Sequence, residues 1–134
     1  MLRLVVAAVT FATICAHPQY RDSIPNGYSV PNPCGSGTWE TVGHFDPHHH
    51  THDKNPFGLA FAAAGHTWTA ALCNADSDND GVTNGAELGD PGCVWTVGAT
   101  PSGPATGHPG ICDPVGTCGQ AFYCGCHGHN CLGK

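Results

Sequence analysis

The chain has 134 residues, of which 19 are Gly and 11 are Pro, with charged residues at 10% and aromatics at 8%. That composition resists long helices and strands, and a domain this small with so few bulky side chains needs something besides burial to hold it; its 9 Cys and 10 His are the candidates. With 4 basic against 10 acidic residues and a formal charge of −6, the chain is no partner for a phosphate backbone, having nothing to replace its counterions, and its sparse charge and abundant sulfur argue against disorder.

In chain order, Met1 to Arg3 is a short basic start, Leu4 to Ile14 is an almost unbroken apolar run, and Ala16 is a small residue before His17 and Pro18. This pattern predicts a secretory signal peptide over residues 1–16. The run is too short for a membrane anchor, which needs roughly 20 residues. Cleavage would remove Cys15 and Arg3, leaving eight Cys and a net charge of −7. An even count suits an oxidising, extracellular destination. No other segment approaches membrane length, and neither Asn84 nor Asn130 opens an Asn-x-Ser/Thr acceptor. The expectation is a secreted, unglycosylated protein with no membrane insertion and no nucleic-acid partner.

Residues 17–58 are rich in turn formers, with one strand-like run at Thr38–Gly43, where Trp39, Thr41 and Gly43 alternate against Glu40, Val42 and His44. Asn55 followed by Pro56 suits a helix start. Leu59, Ala62, Ala63 and His66 then repeat at helical spacing until Gly65 breaks the pattern. Thr67 can cap a second helix from Trp68 to Ala75, with Trp68, Ala71 and Leu72 on its apolar face. Val94–Val97 reads as a strand, residues 98–111 as a Gly/Pro-rich linker, and the last 23 residues hold five Cys.

The strongest chemical signal starts at Asp76. Asp76, Asp78 and Asp80 place carboxylates at positions 1, 3 and 5, and Gly81 sits at the sharp turn. Val82 can offer its carbonyl, Asn84 stands at position 9, and Glu87 at position 12 can chelate with both oxygens. This is the twelve-residue EF-hand arrangement, in which alternate residues aim hard oxygens at one Ca²⁺. Gly85, Gly89 and Pro91 leave barely one turn of exiting helix, and no second loop exists. The site therefore reads as a structural calcium module rather than a switch, with extracellular affinity on the order of 10⁻⁴–10⁻³ M.

Cys73 lies three residues before Asp76 and Cys93 three after Asp90. A Cys73–Cys93 bridge would close a 21-residue ring around the loop, contributing about 3 kcal/mol on the chain-entropy model. If all eight remaining cysteines pair within one chain, Cys34 must then bridge to one of Cys112, Cys118, Cys124, Cys126 and Cys131. Parity does not choose which. The tail from Cys124 to Cys131 has a second reading, as thiolates and imidazoles for Zn²⁺ or Cu⁺; in a secreted chain, disulfides are preferred.

His48, His49, His50 and His52, beside Asp46 and Asp53, admit a Zn²⁺ or Cu²⁺ site or a solvated loop that charges as pH falls below about 6.5. His66 reads as a packed, hydrogen-bonded core residue. No G-x-S-x-G, H-E-x-x-H or phosphate-cradling loop is present, and an even cysteine count leaves no thiol nucleophile. The sequence does not predict an enzyme.

Several segments together resemble the temptin family of secreted molluscan pheromone proteins. They are Ile24–Gly27 with Val30–Cys34, Asn55–Gly58, Phe61–Thr69 with its Gly-His-Thr-Trp, Leu72-Cys73, Asp76–Asp78, Thr83–Pro91 and Cys93–Trp95. The resemblance implies a water-borne attractant acting with other secreted proteins or a chemosensory receptor. It also implies a calcium-binding, EGF-like character, with calcium ligation by Asp76, Asp78, Asp80, Asn84 and Glu87 and disulfide roles for Cys34, Cys73 and Cys93. The fold expected is a small disulfide-rich α+β domain, a few short helices and strands around the calcium loop. Its divisions are a signal peptide at 1–16, a temptin-like domain at 17–101 and a Cys-rich extension at 102–134. The histidine insertion and added tail cysteines depart from that family and support an alternative, an extracellular matrix, shell or adhesive component binding transition metals.

Overall fold

A computed structural model describes residues 20–50 and 53–125. The expected signal peptide, His52, Cys126 and Cys131 lie outside the described residues.

Regular structure is short. One turn of 3₁₀ helix spans Arg21–Ser23, followed by α1 (Pro56–Ala63), α2 (Ala70–Asn74) and α3 (Asn84–Leu88). Among the described residues the β component is reduced to two isolated bridges, Pro31 with Thr38 and His44 with Lys54. The expected strand at Thr38–Gly43 does not form, because successive backbone donors go to different places. The Trp39 N–H reaches the Val30 carbonyl at 2.8 Å, while those of Glu40 and Thr41 both reach Pro47. Burial does not alternate either: Thr41 and Val42 are both buried. Val94 and Val97 are exposed, the first in irregular backbone and the second in a turn, rather than in a strand.

α1 starts where Asn55 and Pro56 predict. The Asn55 Oδ1 accepts the Gly58 N–H at 2.9 Å, a normal N-cap. The same side chain, fully buried, donates to the carbonyls of Val42 at 2.7 Å and His44 at 2.8 Å. It thus ties the helix start to the preceding segment. The buried face of α1 is Phe57, Gly58 and Phe61, not the expected Leu59, Ala62, Ala63 and His66; Leu59 is exposed. Two stacked phenyl rings four residues apart bury more area than Leu and Ala would. His66 is likewise not a core residue. It is exposed at φ 56°, its ring stacked on Tyr20 at 4.4 Å. α2 begins later than expected: Thr69, not Thr67, caps it by accepting the Leu72 N–H at 3.0 Å. Of its expected apolar face only Leu72 is buried, and Ala71 is exposed.

Two small cores result. The first gathers Ile24, Val30, Val42, Phe57, Phe61, Leu72 and Leu88. The second gathers Trp39, Phe45, Ile111 and Phe122, so residues beyond 101 complete an interior begun near residue 39. The expected linker is in fact partly a strap: His108, Pro109, Gly110, Ile111 and Cys112 are buried. Its glycines permit the close approach, since a Cβ on Gly110 would collide with the Asn55 carboxamide.

Among the described residues, three disulfides connect these parts. Cys73–Cys93 forms as the spacing predicts, Cys34 bridges to the tail at Cys124, and Cys112 pairs with Cys118.

α1 and the 41–44 segment touch through backbone at Gly58 and Gly43, where a Cβ on Gly58 would overlap the Gly43 carbonyl. Gly58→Ala should therefore lower stability by about 1–3 kcal/mol despite the better helix propensity of Ala. Gly35→Ala, where the added methyl meets nothing within 4 Å, should leave thermal unfolding almost unchanged. Parallel melts of the two variants check the expectation.

Candidate functional site

The acidic turn is held between two capped helices. Leu72 of α2 and Leu88 of α3 anchor the helices in the first core, and α2 packs against α3. Thr83 caps α3 by accepting the Ala86 N–H at 3.1 Å. Gly89, at φ 86°, ends it in the left-handed conformation that favours glycine. The Asn84 N–H closes the turn on the Ala75 carbonyl at 2.7 Å.

Within the turn, carboxylates organise the backbone. Asp76 accepts the N–H groups of Gly81 at 2.8 Å and Asp80 at 3.3 Å. Asp78 also accepts from Asp80 at 3.3 Å, and Asp80 accepts from Val82 at 3.1 Å. Oxygens of Asp76, Asp78 and Asp80 lie within 4.8 Å of one another. Glu87, on α3, feels the charges of Asp76, Asp78 and Asp80. Asp78 and Glu87 are each 3% exposed, and Asp78 Oδ2 and Glu87 Oε2 have no hydrogen-bond partner. Burial first, then repulsion from Asp78, Asp80 and Asp76, pushes the Glu87 carboxyl up to about 10. Burial and then the Asp80 charge also raise Asp78. Orphaned buried carboxylate oxygens facing other carboxylates are the donor set a hard cation satisfies.

The other expected ligands are placed differently. Asn84 is fully buried, and its amide serves the protein: Nδ2 donates to the Leu72 carbonyl and the Ser77 hydroxyl, both at 2.8 Å, and Oδ1 accepts from the Ser77 N–H at 3.3 Å. Val82 is exposed. Around the turn lies the strap. The N–H groups of Thr106 and Gly107 reach the Glu87 carbonyl at 2.8 and 3.3 Å, and the Cys112 sulfur lies 2.8 Å from the Asp78 carbonyl. A Cβ on Gly107 would sit 3.1 Å from Glu87 Oε1.

His48, His49 and His50 are not brought to one centre. His48 Nδ1 faces Glu40 at 3.4 Å, His49 Nδ1 faces Asp46 at 3.0 Å, and the His50 ring meets His44 edge-on at 5.2 Å. Asp46 organises this loop, accepting the N–H groups of His48 and His49, each at 2.8 Å. Burial works to raise its carboxyl, but those donors and the His49 ring outweigh it and hold it below the ordinary value.

Three residues do more in the structure than the sequence signals. Asp90 is fully buried and accepts from Trp68 Nε1 at 3.0 Å, Val94 N–H at 2.9 Å and Trp95 N–H at 3.1 Å. It pins both ends of the Cys73–Cys93 ring; its place before Pro91 marks only a turn. The second is Asn55, whose carboxamide does more than cap. The third, His108, lies edge-on to Trp39 at 5.0 Å and accepts the Gly110 N–H through Nδ1. Burial pushes it down to about 3, so it is a neutral core ring.

A family described as Temptin C-terminal matches residues 14–111, a span that includes the acidic turn and the Cys73–Cys93 ring. Temptin of Aplysia californica is 50% identical over 105 residues, which is 77% of this chain and 83% of the relative. No solved structure matches.

The raised carboxyls fix a sign. A group whose folded pKa is raised contributes stability below its unfolded value and loses it as pH climbs toward the folded one. In chelator, the melting temperature should therefore fall as pH rises from 7 to 9, while Glu87 and Asp78 are forced to ionise. His108 does not interfere in that window, because its contribution is lost only as pH falls from about 6.5 toward about 3. Melts at pH 7, 8 and 9 with EGTA read the slope, and Glu87→Gln should flatten it.

Proposed function

The chain belongs to the temptin family, and on that premise we propose that it is a secreted, calcium-stabilised pheromone protein. It would act as a water-borne attractant, recognised together with other secreted proteins or by a chemosensory receptor. Its likeness to temptin over most of both chains supports the signalling role. The disulfides among the described residues suit an oxidising exterior, and no helix among those residues is long and apolar enough to cross a membrane.

One observation carries the calcium reading: three carboxylates lie within 4.8 Å of one another, Glu87 on α3 feels their charges, and two buried oxygens of this set, on Asp78 and Glu87, have no partner in the protein. Asp76, Asp78, Asp80 and Glu87 would hold the ion, which supplies a hard positive centre cancelling their repulsion. The protein's part is to keep the carboxylates close before the ion arrives. Caps at Thr69 and Thr83, the Asn84 amide and the Cys73–Cys93 bridge hold the turn. Binding would then lock α2, α3 and the strap into one surface for a partner to read.

Calcium at a hundred times its dissociation constant should stabilise the fold by about 2.7 kcal/mol, read as a rise in melting temperature over an EGTA control. Glu87→Gln should remove most of that rise while leaving the metal-free protein folded; an equal rise in the variant would end the calcium reading. Purified protein, alone and mixed with companion secreted proteins, should draw conspecific animals in a two-arm water maze. If approach to the mixture is no greater than without this protein, the attractant role is wrong whatever the ion does.

A further inference from the structure

A second concave site lies away from the acidic turn, between the Arg21–Ser23 turn, the 41–44 segment and α1. It encloses about 430 Å³, inside the roughly 300–1,000 Å³ of small-molecule sites. Ile24, Val42, Phe57 and Phe61 form its floor. These are side chains of the first core, so the groove opens directly onto the interior. Its walls are fixed before any ligand arrives: Asn55 ties α1 to the carbonyls of Val42 and His44, and the Gly43–Gly58 approach leaves no slack. Such preorganisation reduces the cost of binding.

The rim carries charge of the sign opposite to the chain's. Arg21 and Lys54, the two Lys/Arg residues among those described, both line this groove. All ten acidic residues are also among those described, yet only Glu40 lines it, and that carboxylate faces His48. Asp22, next to Arg21, is turned to a hydrogen bond with the Tyr28 hydroxyl. The Arg21 guanidinium lies 4.3 Å from the centre of the Tyr28 ring, which holds its planar fork. A guanidinium fork and an ammonium above an apolar floor favour an anionic head on an apolar body. Flat rings supply the rest: Tyr20 and His66 stack at 4.4 Å, and Phe57 and Phe61 stack at 5.9 Å.

We propose that this groove is a binding site for a small aromatic carboxylate, its ring on the Phe57–Phe61 floor and its carboxylate between Arg21 and Lys54. The site is independent of the calcium reading and goes beyond the attractant role; it would make the protein a carrier of an organic anion.

The test uses the mature chain with calcium present and three probes of one shape: 2-naphthoate, neutral 2-naphthamide and cationic 2-naphthylmethylammonium. Calorimetry should show naphthoate binding about tenfold tighter than the amide, with the cation weakest. Amide shifts in NMR spectra should centre on Arg21, Val42, Gly43 and Gly58. Arg21→Gln and Lys54→Gln should each weaken naphthoate several-fold and leave the amide unaffected. Lys54 is exposed, so its variant keeps the native melting temperature and remains interpretable. Equal affinity for anion and cation, shifts centred elsewhere, or no binding by natively melting protein would overturn the proposal. So would binding that appears only when residues 17–19 are deleted, since the groove would then be the seat of the chain's own N-terminal segment.

Discussion

Buried carboxyls that must either keep a proton or meet a cation are the constraint around which this molecule is arranged. Asp78 and Glu87 are almost without solvent contact, and Asp76 and Asp80 stand beside them. An interior made of two clusters of seven and four buried hydrophobic residues has little reserve to offset such a cost, because net stability is a small difference between large terms. The surrounding structure is accordingly built to restrain the turn. Helix caps sit on both sides, a buried amide closes it from beneath, and the strap of residues 106–112 lies over Glu87 and the Asp78 carbonyl. Each core has a member beside the turn: Leu88 of the first follows Glu87, and Ile111 of the second precedes Cys112, whose sulfur lies against the Asp78 carbonyl.

Sulfur and one aspartate do the remaining long-range work. Cys73–Cys93 fixes the ends of the acidic segment, and Asp90 satisfies the backbone N–H groups that the turn after α3 leaves open. Three charge-assisted bonds to one buried carboxylate are each stronger than neutral ones. They do locally what a strand ladder does in larger proteins. Cys34–Cys124 and the Trp39–Phe122 contact bring the tail back to the start.

What could be read directly from the sequence was whatever is encoded within a few neighbouring residues. The Asn55-Pro56 start, the Gly89 stop and the spacing of Asp76, Asp78, Asp80 and Glu87 are of that kind, as is the symmetry of Cys73 and Cys93 about the turn. Contacts between distant segments were not legible. Periodicity placed Leu59 on the buried face because it could not weigh Phe57 stacked on Phe61, Tyr20 edge-on to Phe61, and Val42 in the same cluster. Residues 98–111 read as linker because Gly and Pro signal irregular backbone without saying whether that backbone is buried. Asn84 was read as an ion ligand by its position, whereas its amide is engaged by Leu72 and Ser77. The groove escaped notice because its lining comes from three separated stretches of chain.

The Cys34–Cys124 bridge joins residues 90 positions apart, and between them run the exposed residues 96–100 and 102. Loops of that kind are where environmental proteases cut first. A single scission there would not release a fragment, since the two pieces remain shackled by that bridge and interlocked through Trp39, Ile111 and Phe122. In the extracellular role proposed above, beyond any cellular repair, such a molecule could thus be clipped and still circulate as one body.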